Sequence, residues 1–221
     1  MTRGETYQAL SRLFEYPRER EELLQGLKRV AVYCGREGLE FKAAPYLAFV
    51  EGASLETLQE DFVATFDFDP ARAPYLGHHL YGDPRQRAEF MIRLKGAFER
   101  AGFSPEGCEL PDHLSVLLAF LSHLEGDPGG KGVSEAAEKI LREGDERGEL
   151  DKPNDPSDRN YPDDLDEPDD LEAWCRRLVA EEVLPGVRKL GWGEEKGNTH
   201  WLPLFATVES LLSADGKEVP A

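Results

Sequence analysis

The 221-residue sequence is poor in what many enzyme and membrane-protein classes require. It has only three cysteines, Cys34, Cys108 and Cys175, far apart and odd in number. That argues against a disulfide framework and against a zinc ribbon, and reads as reduced thiols. Basic residues are in deficit, 26 Lys and Arg against 44 Asp and Glu, for a net charge of −18. Such a chain is repelled by nucleic acid and by anionic membrane faces, and attracts basic partners instead. No run of about 18 apolar residues occurs, so no direct membrane insertion is expected. Met1-Thr2-Arg3-Gly4-Glu5 carries acid where a signal peptide needs a basic start and an apolar run, which predicts a cytoplasmic location.

Catalytic signatures are missing as well. There is no Gly-x-Ser-x-Gly element, and the glycines from Gly126 to Gly132 with Lys131 lack the hydroxyl that a phosphate-binding loop places next. Arg85, Arg87, Arg93 and Lys95 give one helix a cationic side, but without interleaved aromatics it reads as a solvated face.

What is present is a core and a helical pattern. The chain is 40% hydrophobic and 10% aromatic, enough for one domain. Strand alternation is absent, and apolar residues recur at helical spacing. Thr2 and Glu5 form a capping box ahead of Tyr7, Leu10 and Phe14, with Pro17 as the stop. Leu23, Leu27, Val30 and Cys34 make a second stripe, with Gly35 in the terminating position. A short apolar stretch runs from Tyr46 to Val50, and Ser54 caps a helix bearing Leu55, Leu58, Phe62 and Phe66. Asp83 followed by Pro84 opens a helix with Met91, Leu94, Phe98 and Ala101 inward, closed at Gly102. Leu114, Leu117, Leu118, Leu121 and Leu124 cover so wide an arc that their helix is expected at the centre. A modest helix is expected from Ser134 to Glu143, and two more carry Leu171, Trp174, Cys175 and Leu178, then Trp201, Phe205, Val208 and Leu212. The first of these two should bend or end near Pro185.

Between Asp145 and Glu172 thirteen acids face three bases, −10 of the −18, and prolines recur at 153, 156, 162 and 168. This segment reads as a loop or tether. The expected organisation is all-α: a single helical-bundle domain with a core over 1–144, an acidic proline-rich loop over 145–168, and C-terminal helices over 169–221 packing on that core.

His79, Asp83, Asp112 and His113 invite a metal hypothesis, as in helical metal-dependent phosphohydrolases, although that family orders its central pair His-Asp. The bland alternative makes Pro111-Asp112-His113 a helix start, with Asp112 accepting the backbone N–H of Ser115 or a near neighbour. It leaves His113 unexplained, because a charged imidazole is disfavoured at that end of a helix.

An ordered set of residues carries a family pattern. Phe66-Asp67 precedes Tyr75-Leu76-Gly77-His78-His79-Leu80-Tyr81-Gly82-Asp83; then follow Arg85, Arg87, Met91, Leu94 and Gly102, and last Glu109-Leu110-Pro111-Asp112-His113-Leu114. It resembles the NarJ branch of the redox-enzyme maturation proteins, relatives of the TorD and DmsD chaperones. The likeness is strong over roughly residues 62–124 and looser over the N-terminal helices, and Ala88 stands where relatives often have glycine. The resemblance implies an all-helical, non-catalytic chaperone without a cofactor of its own. Its implied partner is the catalytic (alpha) subunit of nitrate reductase or a related molybdoenzyme, held by its N-terminal peptide until the molybdenum cofactor is inserted. The candidate peptide-binding residues are Tyr75, His79, Leu80, Asp83, Arg85, Arg87, Glu109, Leu110, Pro111, Asp112, His113 and Leu114. They form one site if the two motif segments converge. The acidic stretch could guide a basic client or occupy the groove until displaced. A permanent structural subunit of the reductase is a third possibility.

Overall fold

A computed structural model describes residues 1–126, 174, 177–191 and 200–215. The helix expected at 134–143 and the acidic 145–168 segment lie outside the described residues. Nine α-helices are described: α1 (Arg3–Leu13), α2 (Arg20–Arg36), α3 (Ala44–Gly52), α4 (Leu55–Phe66), α5 (Leu76–Leu80), α6 (Pro84–Ala101), α7 (Leu114–Gly126), α8 (Leu184–Gly191) and α9 (Trp201–Asp215). A π-helical turn, Val179–Val183, runs directly into α8. Among the described residues there is no strand, and the all-α expectation holds.

Local chemistry explains several helix ends. Thr2 accepts the N–H of Glu5 while the Glu5 carboxylate accepts that of Thr2, the reciprocal capping box. Ser54 caps α4 through the N–H of Thr57, and Asp83 caps α6 through the N–H of Arg85, ahead of Pro84. Helix α2, by contrast, runs through Gly35. It ends where Gly38 takes φ 68°, so that Leu39 N–H reaches the Cys34 carbonyl at 2.8 Å. At the chain's other end, Pro185 has no N–H to give Glu181, and the ladder slips to a wider turn in which Leu184 N–H bonds to Val179. The bend expected near Pro185 takes this form.

Helix α7 is the central element, with Leu114, Leu117, Leu118, Phe120 and Leu121 buried. α1 crosses it closely: a Cβ on Gly4 would stand 3.0 Å from Glu125 Cβ. α2 packs on the other side of α1, and α3 on α2. The C-terminal helices are part of the core. In α9, Trp201, Leu204, Phe205, Val208 and Leu212 are all buried. Phe14 stacks on Phe205 at 5.3 Å, and Trp201 lies 4.6 Å from Phe66 and 4.5 Å from Tyr46, ring centre to ring centre. Asp61 on α4 ties this aromatic cluster down, accepting from Trp201 Nε1 at 2.7 Å and contacting His200 Nε2 at 3.0 Å. The inward face of α6 is turned slightly from the expected one: Phe90, Leu94, Ala97 and Phe98 are buried, while Met91 is only half-buried.

Candidate functional site

The two motif segments meet. Residues 74–76 and 112–114 run antiparallel, with Leu76 N–H donating to the Asp112 carbonyl at 2.8 Å and Leu114 N–H to the Pro74 carbonyl at 2.7 Å. This bridge fixes the start of α5 against the start of α7 and brings Tyr75 beside His113, ring centres 5.0 Å apart.

A buried ion pair braces the junction. Asp112 is fully buried and accepts from both Nε and Nη2 of Arg87, at 2.8 and 3.3 Å. A forked guanidinium–carboxylate contact of this kind fixes direction as well as charge. The Arg87 guanidinium also lies 5.6 Å from the centre of the Tyr75 ring. The brace requires glycine at 77, where a Cβ would stand 2.7 Å from Asp112 Oδ2 and 3.0 Å from Arg87 Cγ.

The capping role expected of Asp112 falls to its neighbour. Nδ1 of His113 accepts the N–H of Ser115 at 3.2 Å and lies 2.7 Å from the Ser115 hydroxyl. An imidazole can accept there only when neutral, and burial lowers the His113 pKa, outweighing the opposite pull of Glu109 and Asp112. The objection that a cation is disfavoured at a helix start therefore does not arise. Asp112 is free to pair with Arg87 because its neighbour does the capping.

The outer rim has a different character. Tyr75 donates its hydroxyl to Glu109 at 2.7 Å, and burial followed by that carboxylate pushes the phenol up to about 12. Glu109 and Leu110 are exposed, Leu110 by 45%, whereas Pro111 and Leu114 are buried. His79 Nε2 lies 2.7 Å from the Ala73 carbonyl, and burial lowers its pKa. Leu80 is half-buried, and Asp83 and Arg85 are exposed at the head of α6. Of the four residues of the phosphohydrolase alternative, Asp112 is turned to Arg87, His113 to Ser115 and His79 to a backbone carbonyl, while Asp83 caps α6. Among the described residues no group of His, Cys, Asp and Glu could hold a metal ion.

Sequence patterning missed one part of this neighbourhood. Glu182, in the π-turn, accepts the Tyr81 hydroxyl at 2.7 Å and pairs with Arg93. Lys189 donates to the His79 carbonyl at 3.0 Å, and Gly186 lies against Leu76. Nothing local marks these residues; the nearest signal was Pro185, which announces the bend but not what the bend aims at.

The family pattern implied an all-helical domain, and in this one the two motif segments are joined by a bridge and a buried brace. Residues 32–146 match the model of the nitrate reductase delta subunit, and the chain belongs to that family. It is 34% identical over 122 residues to a probable nitrate reductase molybdenum cofactor assembly chaperone, NarJ, of Bacillus subtilis (strain 168); the match covers 54% of this chain and 66% of that protein. It is 30% identical over 79 residues to the NarJ chaperone of Escherichia coli (strain K12), covering 36% of this chain and 34% of the relative. To the probable chaperone NarW of the same strain it is 30% identical over 129 residues, covering 57% and 52%. The chain thus spans at most 66% of the length of these curated relatives.

Proposed function

We propose that this protein is a maturation chaperone for a molybdenum oxidoreductase, most specifically nitrate reductase. In this reading it holds the N-terminal segment of the catalytic subunit in the cytoplasm until the cofactor is in place, and catalyses nothing itself. The observation that carries the reading is the junction at Tyr75 and His113, where both segments of the family pattern become one braced unit within the family-matched region. No described helix is long and apolar enough to cross a membrane. A net charge of −18 suits a basic client.

In this reading the candidate residues divide by role. Asp112, paired with the half-buried Arg87, and His113, turned to Ser115, set the shape. Tyr75, Glu109 and Leu110 stand on the accessible side, with an aromatic ring, a carboxylate and an apolar side chain to offer an amphipathic basic segment. The test is calorimetric titration with a synthetic N-terminal peptide of the catalytic subunit, using Glu109→Gln and Leu110→Ser. Each change should weaken binding by about 1 kcal/mol or more, roughly fivefold, without altering the melting temperature. Equal affinity in both variants would exclude this rim. A folded wild-type chain that ignores the peptide would exclude the client itself.

A further inference from the structure

We infer that α8 is an internal stand-in for the client: in the free chain it occupies the flank of α5, and a bound client segment takes its place there. This rests on the chaperone reading above and extends the client's contact from the Tyr75, Glu109 and Leu110 rim to the adjoining flank of α5. Position is the first argument. The covering segment grips motif residues along the whole of α5. Gly186 comes so near Leu76 that a Cβ would stand 3.0 Å from Leu76 Cβ. Lys189 Nζ donates to the His79 carbonyl at 3.0 Å, and Glu182 holds the Tyr81 hydroxyl at 2.7 Å while pairing with Arg93 of α6.

Chemistry is the second argument. Leu184, Val187 and Leu190 are buried on one face of α8, while Arg188 and Lys189 lie on the exposed side. Among the described helices that carry Asp, Glu, Lys or Arg, α8 alone has bases and no acid. An apolar face with two cations is the composition expected of a client attracted to an acidic chaperone. Replacing one such helix by another exchanges equivalent apolar burial, so the hydrophobic cost of leaving is offset by the incoming segment.

Connectivity is the third. The segment lies beyond the family-matched residues 32–146. In the sequence, 47 residues separate Gly126 from Trp174 and eight separate Gly191 from His200, and departure of α8 also breaks the 2.8 Å contact from Arg188 Nε to Glu209 of α9. A site occupied by its own chain binds a partner with an affinity reduced by the fraction of molecules that are open, and weakening the fastenings raises that fraction.

The experiment uses the full-length chain, a fluorescein-labelled synthetic N-terminal peptide of the nitrate reductase catalytic subunit, and the double variant Glu182→Gln, Lys189→Ala. The variant is expected to bind about three- to tenfold more tightly than wild type. In a parallel measurement that needs no variant, saturating wild type with peptide should speed hydrogen exchange at residues 179–190 and leave α1 and α7 unchanged. Unchanged or slower exchange there with the peptide bound overturns the exchange of helices, as does a folded double variant that binds no more tightly; both leave the client reading standing. A peptide that binds neither form overturns both.

Discussion

The side chains at the junction make opposite demands on their surroundings. Asp112 is charged and fully buried, so its partner carries a large share of the local stability. Arg87→Ala leaves that carboxylate alone and should cost about 3 kcal/mol or more, read by denaturant unfolding. Gly77→Ala drives a methyl into the same carboxylate oxygen and should cost about 1–3 kcal/mol. His113 introduces a pH dependence. Its folded pKa lies below the ordinary 6.5, so the unfolded chain binds more protons between the two values. The stability it contributes is whole above about pH 6.5 and is lost as the pH falls from there toward the folded value. His79, also lowered, acts in the same direction. His113→Asn should therefore flatten the acid limb of a stability–pH curve without abolishing it. These side chains were nameable from the sequence, but their division of labour was not. The cap expected of Asp112 is decided by Arg87, 25 positions away, and no local pattern reports that.

Helices differ in how much of their design is local. Capping at Thr2, Ser54 and Asp83 was readable because donor and acceptor lie within three residues. The end of α2 was misplaced at Gly35 because either glycine satisfies the pattern, and only the Leu39 to Cys34 bond selects Gly38. The inward face of α6 slipped by one residue, from Met91 to Phe90, since both apolar positions fit the period. Glycines inside helices show the same dependence on neighbours. Gly186 is pressed against Leu76, so Gly186→Val should separate α8 from α5 and cost about 1–3 kcal/mol. Gly96 of α6 has only Arg100 Nη1 near its missing Cβ, at 3.8 Å. Gly96→Ala should therefore stabilise by about 0.5–1 kcal/mol, and paired thermal melts would show the opposite signs.

At the scale of the whole molecule, the chain's two ends share one core. The sequence suggested C-terminal helices packing on a core over 1–144, and α9 supplies buried aromatic and aliphatic side chains to the same cluster as Phe14, Tyr46 and Phe66. A chain ending at residue 144 should lose cooperative unfolding and bind a hydrophobic dye, both checked by calorimetry and fluorescence. That dependence has a consequence during synthesis. Phe14, Phe62 and Phe66 leave the ribosome long before Trp201 and Phe205, the rings that cover them. At roughly 5–20 residues per second, the nascent chain shows an open aromatic face for on the order of ten seconds. A protein proposed to shelter another's unfinished chain thus begins as a client for shelter itself.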